Sequence, residues 1–295
     1  MATMFLSTSP PSAEQAGALA APMPPLAGKP LEVPSFHETG WEDGQKFSTE
    51  DDPDRTTLPW ERPAFVDAQD PASARSGTTV EDIHLGVPSA WAKVVRNVLS
   101  EETCAELLAQ VNSKGYTPAL INCGRFQMLM PFVRNGHRVV VDCPELAMWL
   151  FEVLRPHLPD RLEDGSEIVG LNERLRFLCY TPGQFFEEHF DGKYTRPAGQ
   201  PGAGEHSAIT VQLYLHDVPT ECGGATSFCL DRYDTSKNIG HQPEAGSVLL
   251  FTQNLPHEGK LVKSGFKYTL RTEVMYTPRP AKFSIAGVKQ LFGAS

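Results

Sequence analysis

Three hydrophobic patterns follow one another along the chain. Up to about residue 85 the apolar residues keep no period and are broken by runs such as "TSPPSAEQAGALAAPMPPLAGKP". A helical period then begins at "SEETCAELLAQVNSKG". Ser100 and the turn to Thr103 form a cap, Glu101 and Glu102 suit the first turn, and Gly115 suits the stop. A second helix is predicted over 144–158, "PELAMWLFEVLRPHL", with Pro144 early and Leu146, Leu150 and Val153 on one face. Beyond it the chain becomes strand-like: "RLRFLCY" (174–180), "AITVQLYL" (208–215), "ATSFCL" (225–230), "GSVLLFTQ" (246–253) and "YTLRTEVMY" (268–276). Gly, Pro and Asp clusters separate these runs. Helices followed by many short strands predict an α+β fold with helices packed on a sandwich or barrel. Strands that mix polar and apolar residues on one face suit a barrel with a polar mouth.

Composition sharpens the boundary. Residues 1–85 hold 11 of the 25 prolines and 14 acidic against 5 basic residues, so most of the formal charge of −10 lies there. Such a segment buries too little apolar surface to offset its ordering entropy. The expectation is a mostly disordered Pro-rich acidic tail over 1–85, a domain over 86–280 and a C-terminal extension over 281–295. Past residue 85 the chain is nearly neutral, with 21 basic against 22 acidic residues. It lacks the basic footprint of a nucleic-acid binder, so nucleic acid is not an expected partner. None of the six cysteines forms a C-x-x-C pair and their spacing is irregular, which argues against both a zinc site and a disulfide framework. The N-terminus lacks the basic and apolar regions of a signal peptide, and no apolar run reaches the ~18 residues of a membrane span. A cytoplasmic protein with no membrane partner is expected. The oligomeric state is left open.

The chemistry concentrates in "FFEEHFDGKY", residues 185–194. In a strand, residues two apart share a face, which puts Glu187, His189 and Asp191 together and Phe186, Glu188 and Phe190 opposite. A lone His-x-Asp pair is common. A site that holds Fe(II) for oxygen chemistry uses two His and one carboxylate and leaves the remaining positions open. The second His must come from a distant strand. Of His206, His216, His241 and His257, only His257 has the right context, strand, short turn, His and strand, in "GSVLLFTQNLPHEGKLVKSGFKYTLRTEVMY". The other three read as surface or turn histidines. Lys267 lies ten residues beyond His257 and shares a strand face with Thr269 and Arg271. A cation there suits the far carboxylate of a dicarboxylate cosubstrate.

The stretches "YTPGQFFEEHFDG", "LYLHDVPTECGGATSF" and "LPHEGKLVKSGFKY" together resemble the iron(II)- and 2-oxoglutarate-dependent dioxygenases of the prolyl 4-hydroxylase type. The resemblance covers residues 93–278. It implies a double-stranded β-helix (jelly roll) with flanking helices. It implies iron ligands at His189, Asp191 and His257, and cosubstrate contacts at Lys267, Tyr180 and Thr226. Leu213 departs from relatives that carry a Tyr near the far carboxylate; Arg271 would compensate or replace Lys267. Arg125, Asn172 and Arg174 lie in segments that flank the mouth and are candidate substrate contacts, with ordinary turn or edge hydrogen bonding as their bland alternative. The implied reaction hydroxylates an unactivated C–H bond with Fe(II), O2 and 2-oxoglutarate, releases succinate and CO2, and draws on ascorbate. A peptidyl proline or a small molecule is the implied substrate, and a non-catalytic jelly-roll binding module is the rival reading.

Overall fold

In a computed structural model, the protein is described over residues 31, 34–48, 58–88 and 90–278. The capping expectation for the first long helix holds. Glu101–Asn112 starts where Ser100 Oγ accepts the backbone N–H of Thr103 at 3.2 Å. The second, Pro144–Leu154, ends four residues earlier than predicted. Pro156 cannot continue the hydrogen-bond ladder, and the chain tightens into a 3-10 turn over Arg155–His157.

Two antiparallel sheets make the body of the fold. The larger runs Thr79–Ile83, Ala92–Arg96, Val248–Thr252, His206–Tyr214, Lys267–Tyr276, Arg174–Tyr180, His137–Asp142 and Thr117–Pro118, with Ile168–Leu171 also paired to Lys267–Tyr276. The smaller runs Phe186–His189, His257–Gly259, Thr226–Phe228 and Ile239–His241. This is the jelly roll, with helices on one side. Strand alternation divides the large sheet into two faces. Phe177, Val211, Val248 and Leu270 pack with Leu107, Val111, Leu146 and Leu150 of the helices in the main core. Each such side chain contributes roughly 1.5–3 kcal/mol by leaving water. The opposite face looks across to the small sheet. There Tyr214, Leu249 and Phe251 meet Phe228, and the polar residues 267, 269, 271 and 273 line up along one strand.

Residues 34–48 and 58–85 depart from the expected disordered tail. Trp60 stacks on Phe177 with ring centroids 5.1 Å apart, and Phe65 meets Trp149 edge-on at 5.3 Å. Lys46–Ser48 pairs with Phe126–Met128, and Phe126–Met128 with Ile121–Asn122, in a separate three-stranded sheet. The composition average hid these anchors: a few aromatic residues in a Pro-rich stretch bury enough surface to fix it. Residues 1–30 and the extension over 281–295 lie outside the described residues.

Candidate metal centre

Three side chains converge between the two sheets. His189 and His257 are direct cross-strand partners on the edge of the small sheet. Their imidazole centroids lie 4.3 Å apart. Asp191 follows just past the first of these strands. One ligand atom from each of His189, Asp191 and His257 can be chosen so that all lie within 4.8 Å of one another. The backbone sets both imidazoles. Nδ1 of His189 donates to the Glu187 carbonyl at 2.8 Å, and Nδ1 of His257 donates to the Leu255 carbonyl at 3.0 Å. Each Nε2 is then a bare lone pair. Those lone pairs face Asp191, at 3.9 Å from Oδ1 and 3.7 Å from Oδ2.

Two imidazole lone pairs and a carboxylate facing one another are a donor set that fits a metal ion. The titration behaviour agrees. Burial pushes both imidazoles toward the neutral form. Burial alone would raise the Asp191 carboxyl, but the Arg271 guanidinium more than offsets it and holds the group ionised. Phe251 packs edge-on against His257 at 4.6 Å. Phe186 stacks on His189 at 3.5 Å, although strict alternation separates the two. The register of this strand shifts between them, which brings both rings to one side.

Next to this cluster hydrogen-bond donors gather around a buried lysine. Lys267 is 4% exposed and makes no ion pair among the described residues. Its Nζ donates to Thr226 Oγ1 at 3.2 Å. Gln212 Nε2 and the Tyr214 hydroxyl also donate to that oxygen, each at 2.9 Å. Gln212 Nε2 gives its second hydrogen to the Tyr214 hydroxyl at 3.1 Å, so the Lys267 ammonium is the donor with hydrogens to spare. Thr269 Oγ1, buried on the same strand face, has no partner among the described residues. Tyr180 sits directly across from Lys267, with the ammonium 5.9 Å from its ring centroid. Gly136 makes room for that ring: a Cβ there would lie 2.4 Å from Tyr180 Cε1. Gly223, at φ 73°, plays a similar part before Thr226, since a Cβ would lie 2.2 Å from the Leu261 carbonyl oxygen. Burial lowers the Lys267 ammonium to about 7. A buried cation surrounded by donors is a site for an anion.

Residues 175–272 match the family model of the 2OG-Fe(II) oxygenase superfamily. Among solved structures, the chain is similar to the viral collagen prolyl hydroxylase of Paramecium Bursaria Chlorella virus-1 in complex with 2OG. The identity is 20% and the TM-score 0.43, covering 62% of this chain and 95% of that one. It is also similar to a Pseudomonas putida prolyl-4-hydroxylase (16%, 0.43, 71% and 99%). A third is the Trichoplax adhaerens prolyl hydroxylase in complex with a hypoxia inducible factor peptide fragment (17%, 0.48, 64% and 84%). No curated protein matches the chain in sequence.

Within the barrel, the sequence-predicted residues fall into two groups. His189, Asp191, His257, Lys267, Thr226, Tyr180 and Arg271 gather at or beside the cluster. Arg271, however, is engaged by Asp191 at 2.8 Å and Glu273 at 2.7 Å. The expected mouth residues are engaged elsewhere or exposed. Asn172 is buried, donating to Glu273 at 3.1 Å and accepting the Arg174 backbone N–H at 3.1 Å. Arg174 pairs with Asp142 at 3.0 Å. Arg125 sits in the exposed turn between Ile121–Asn122 and Phe126–Met128.

Two readings change. Leu213 faces the helices, and the tyrosine beside Lys267 is Tyr214, one residue on. His206, His216 and His241 are buried rather than at the surface. His216 Nε2, for instance, accepts the Tyr268 backbone N–H at 3.2 Å. Thr210, Gln212, Tyr214 and Glu273 were missed. Their signal is the every-second-residue recurrence of polar groups in otherwise apolar strands.

Proposed function

We propose that the protein is an Fe(II)- and 2-oxoglutarate-dependent oxygenase that hydroxylates an unactivated C–H bond, releasing succinate and CO2. The observation that carries this reading is the pairing of two features on one barrel face. Two neutral imidazoles and a carboxylate converge, and beside them a buried lysine has no acidic partner among the described residues.

His189, Asp191 and His257 would hold the metal, and three ligands leave positions for other groups. Lys267 would take the far carboxylate of 2-oxoglutarate, with Thr226, Tyr214 and Gln212 supplying further hydrogen bonds and Tyr180 bounding the slot. Iron and 2-oxoglutarate together supply the oxidising chemistry toward O2, and ascorbate would keep the iron ferrous. The chain's own tasks are ligation, orientation and exclusion of water by Phe186, Phe251 and the strands around them. Lys267, rather than Arg271, is the favoured anchor, because the charge of Arg271 is already met by two carboxylates.

Peptidyl proline is the first substrate class to test, on the resemblance of the three site motifs to the prolyl 4-hydroxylase type. Small molecules are the second. The deciding assay is succinate release with Fe(II), ascorbate and 2-oxoglutarate across proline-containing peptides and small metabolites. Iron-dependent succinate formation that a peptide stimulates supports the first class. Stimulation by metabolites alone moves the substrate to the second. No iron-dependent turnover of 2-oxoglutarate under any condition contradicts the oxygenase reading.

A further inference from the structure

Asp191 is held from two sides. Thr210 Oγ1 donates to Oδ2 at 2.5 Å, and the Arg271 guanidinium meets Oδ1 at 2.8 Å. With its other terminal nitrogen Arg271 reaches Glu273 Oε1 at 2.7 Å. Glu273 also receives Arg176 at 3.0 Å and Asn172 at 3.1 Å. Gln212 and Arg176 lie across from Arg271 on its two neighbouring strands, so the charged row spans the middle of the large sheet.

The row holds two carboxylates and two guanidiniums, and is neutral by itself. Its side chains are 3–23% exposed. Burying four ions is not a route to stability, because an apolar layer of the same volume packs at least as well. A fully bonded ionic row instead fixes positions: the planar fork of arginine sets the orientation of each carboxylate it grips. The end of this row is the one carboxylate in the metal cluster.

We propose that Arg271 is a positioning residue for Asp191. It fixes the plane of the carboxylate for the metal, and Glu273, itself braced by Arg176 and Asn172, holds Arg271 in place. The proposal rests on the metal reading given above and removes Arg271 from the cosubstrate anchor. Glu273 acts at one remove. Without it, Arg271 would close on Asp191 undivided and compete with the metal for the same oxygens.

The test is Co(II) titration of the full chain, followed by 2-oxoglutarate titration of the Co(II)-loaded protein. Arg271→Lys keeps the charge but loses the fork, Arg271→Gln loses both, and Glu273→Gln removes the brace without touching the metal cluster. The expected result is a 10- to 100-fold loss of Co(II) affinity in all three, the usual range for residues that orient a ligand. The visible Co(II) bands should change as well, while 2-oxoglutarate affinity stays within about threefold. A role confined to folding would lower the melting temperature and leave the Co(II) bands of the folded fraction unchanged. Should Arg271→Gln not fold, the other two variants carry the test. The proposal is overturned if Co(II) affinity and bands in the variants match wild type. It is also overturned if Arg271→Gln loses 2-oxoglutarate about a hundredfold, as the anchor would. Failure of wild type to bind Co(II), or unchanged binding in His257→Ala, overturns the metal reading itself.

Discussion

His189 and His257 face each other across neighbouring antiparallel strands, with imidazole centroids 4.3 Å apart and each Nδ1 tied to a main-chain carbonyl. The backbone therefore presents two lone pairs before any metal arrives. Replacing either ring by Ala should weaken Fe(II) or Co(II) binding by at least about a hundredfold and leave the fold intact, because neither ring carries charge in the metal-free protein. Equilibrium metal titration with circular dichroism on the same samples checks both halves.

Asp191 should behave differently. It faces the buried Arg271 at 2.8 Å, so Asp191→Ala leaves two guanidiniums sharing the single carboxylate of Glu273. Breaking such a pair costs about 3–5 kcal/mol. Urea denaturation of metal-free protein is expected to show that loss for Asp191→Ala and a much smaller one for His189→Ala. Equal stability of the two variants would contradict the ionic row.

The lysine makes a pH prediction. Burial lowers the Lys267 ammonium to about 7 in the folded protein, against 10.5 for a free lysine. Between these values the unfolded chain binds the proton and the folded chain does not. Stability of the metal-free protein should therefore rise with pH from about 7 to about 10, by at most ~1.4 kcal/mol per unit from this group. Lys267→Met should flatten that rise. Affinity for 2-oxoglutarate should move the other way and fall above pH 7, since the dianion needs the charged form. Denaturant midpoints and 2-oxoglutarate titrations at pH 6.5, 7.5, 8.5 and 9.5 measure both slopes.

The N-terminal segment makes a stability prediction. Phe65 is buried against Trp149 and Trp60 stacks on Phe177. Phe65→Ala should cost about 3–5 kcal/mol, and deletion of residues 1–85 should lower the melting temperature by well over 10 °C. A deletion variant as stable as the full chain would mean that these aromatics contribute nothing.

Much of the site was legible because it is written in strand periods. His-x-Asp, the context of His257 and the ten-residue step to Lys267 are all local signals, and the face shared by 267, 269 and 271 follows from alternation alone. What stayed hidden depends on pairing between distant segments. Thr210, Gln212 and Tyr214 have polar groups two apart, but nothing in the sequence says that Tyr214 rather than Leu213 turns toward Lys267 until the register with 267–276 is known. Asn172 and Arg174 looked like mouth residues, and their partners Glu273 and Asp142 lie 101 and 32 positions away. The tail misled because average composition does not register three or four well-placed aromatic rings.

The central claim is that one metal on His189, Asp191 and His257 shares its site with a dicarboxylate held by Lys267. Anaerobic titration of the Fe(II)-loaded protein with 2-oxoglutarate tests it directly, read by the visible charge-transfer absorption of a keto acid chelating ferrous iron. Wild type should develop the band and saturate. Lys267→Ala should need at least about two orders of magnitude more 2-oxoglutarate, from the ~3–5 kcal/mol cost of an unpaired buried charge. His257→Ala should give no band. No band in wild type, or the same midpoint for wild type and Lys267→Ala, would contradict the claim.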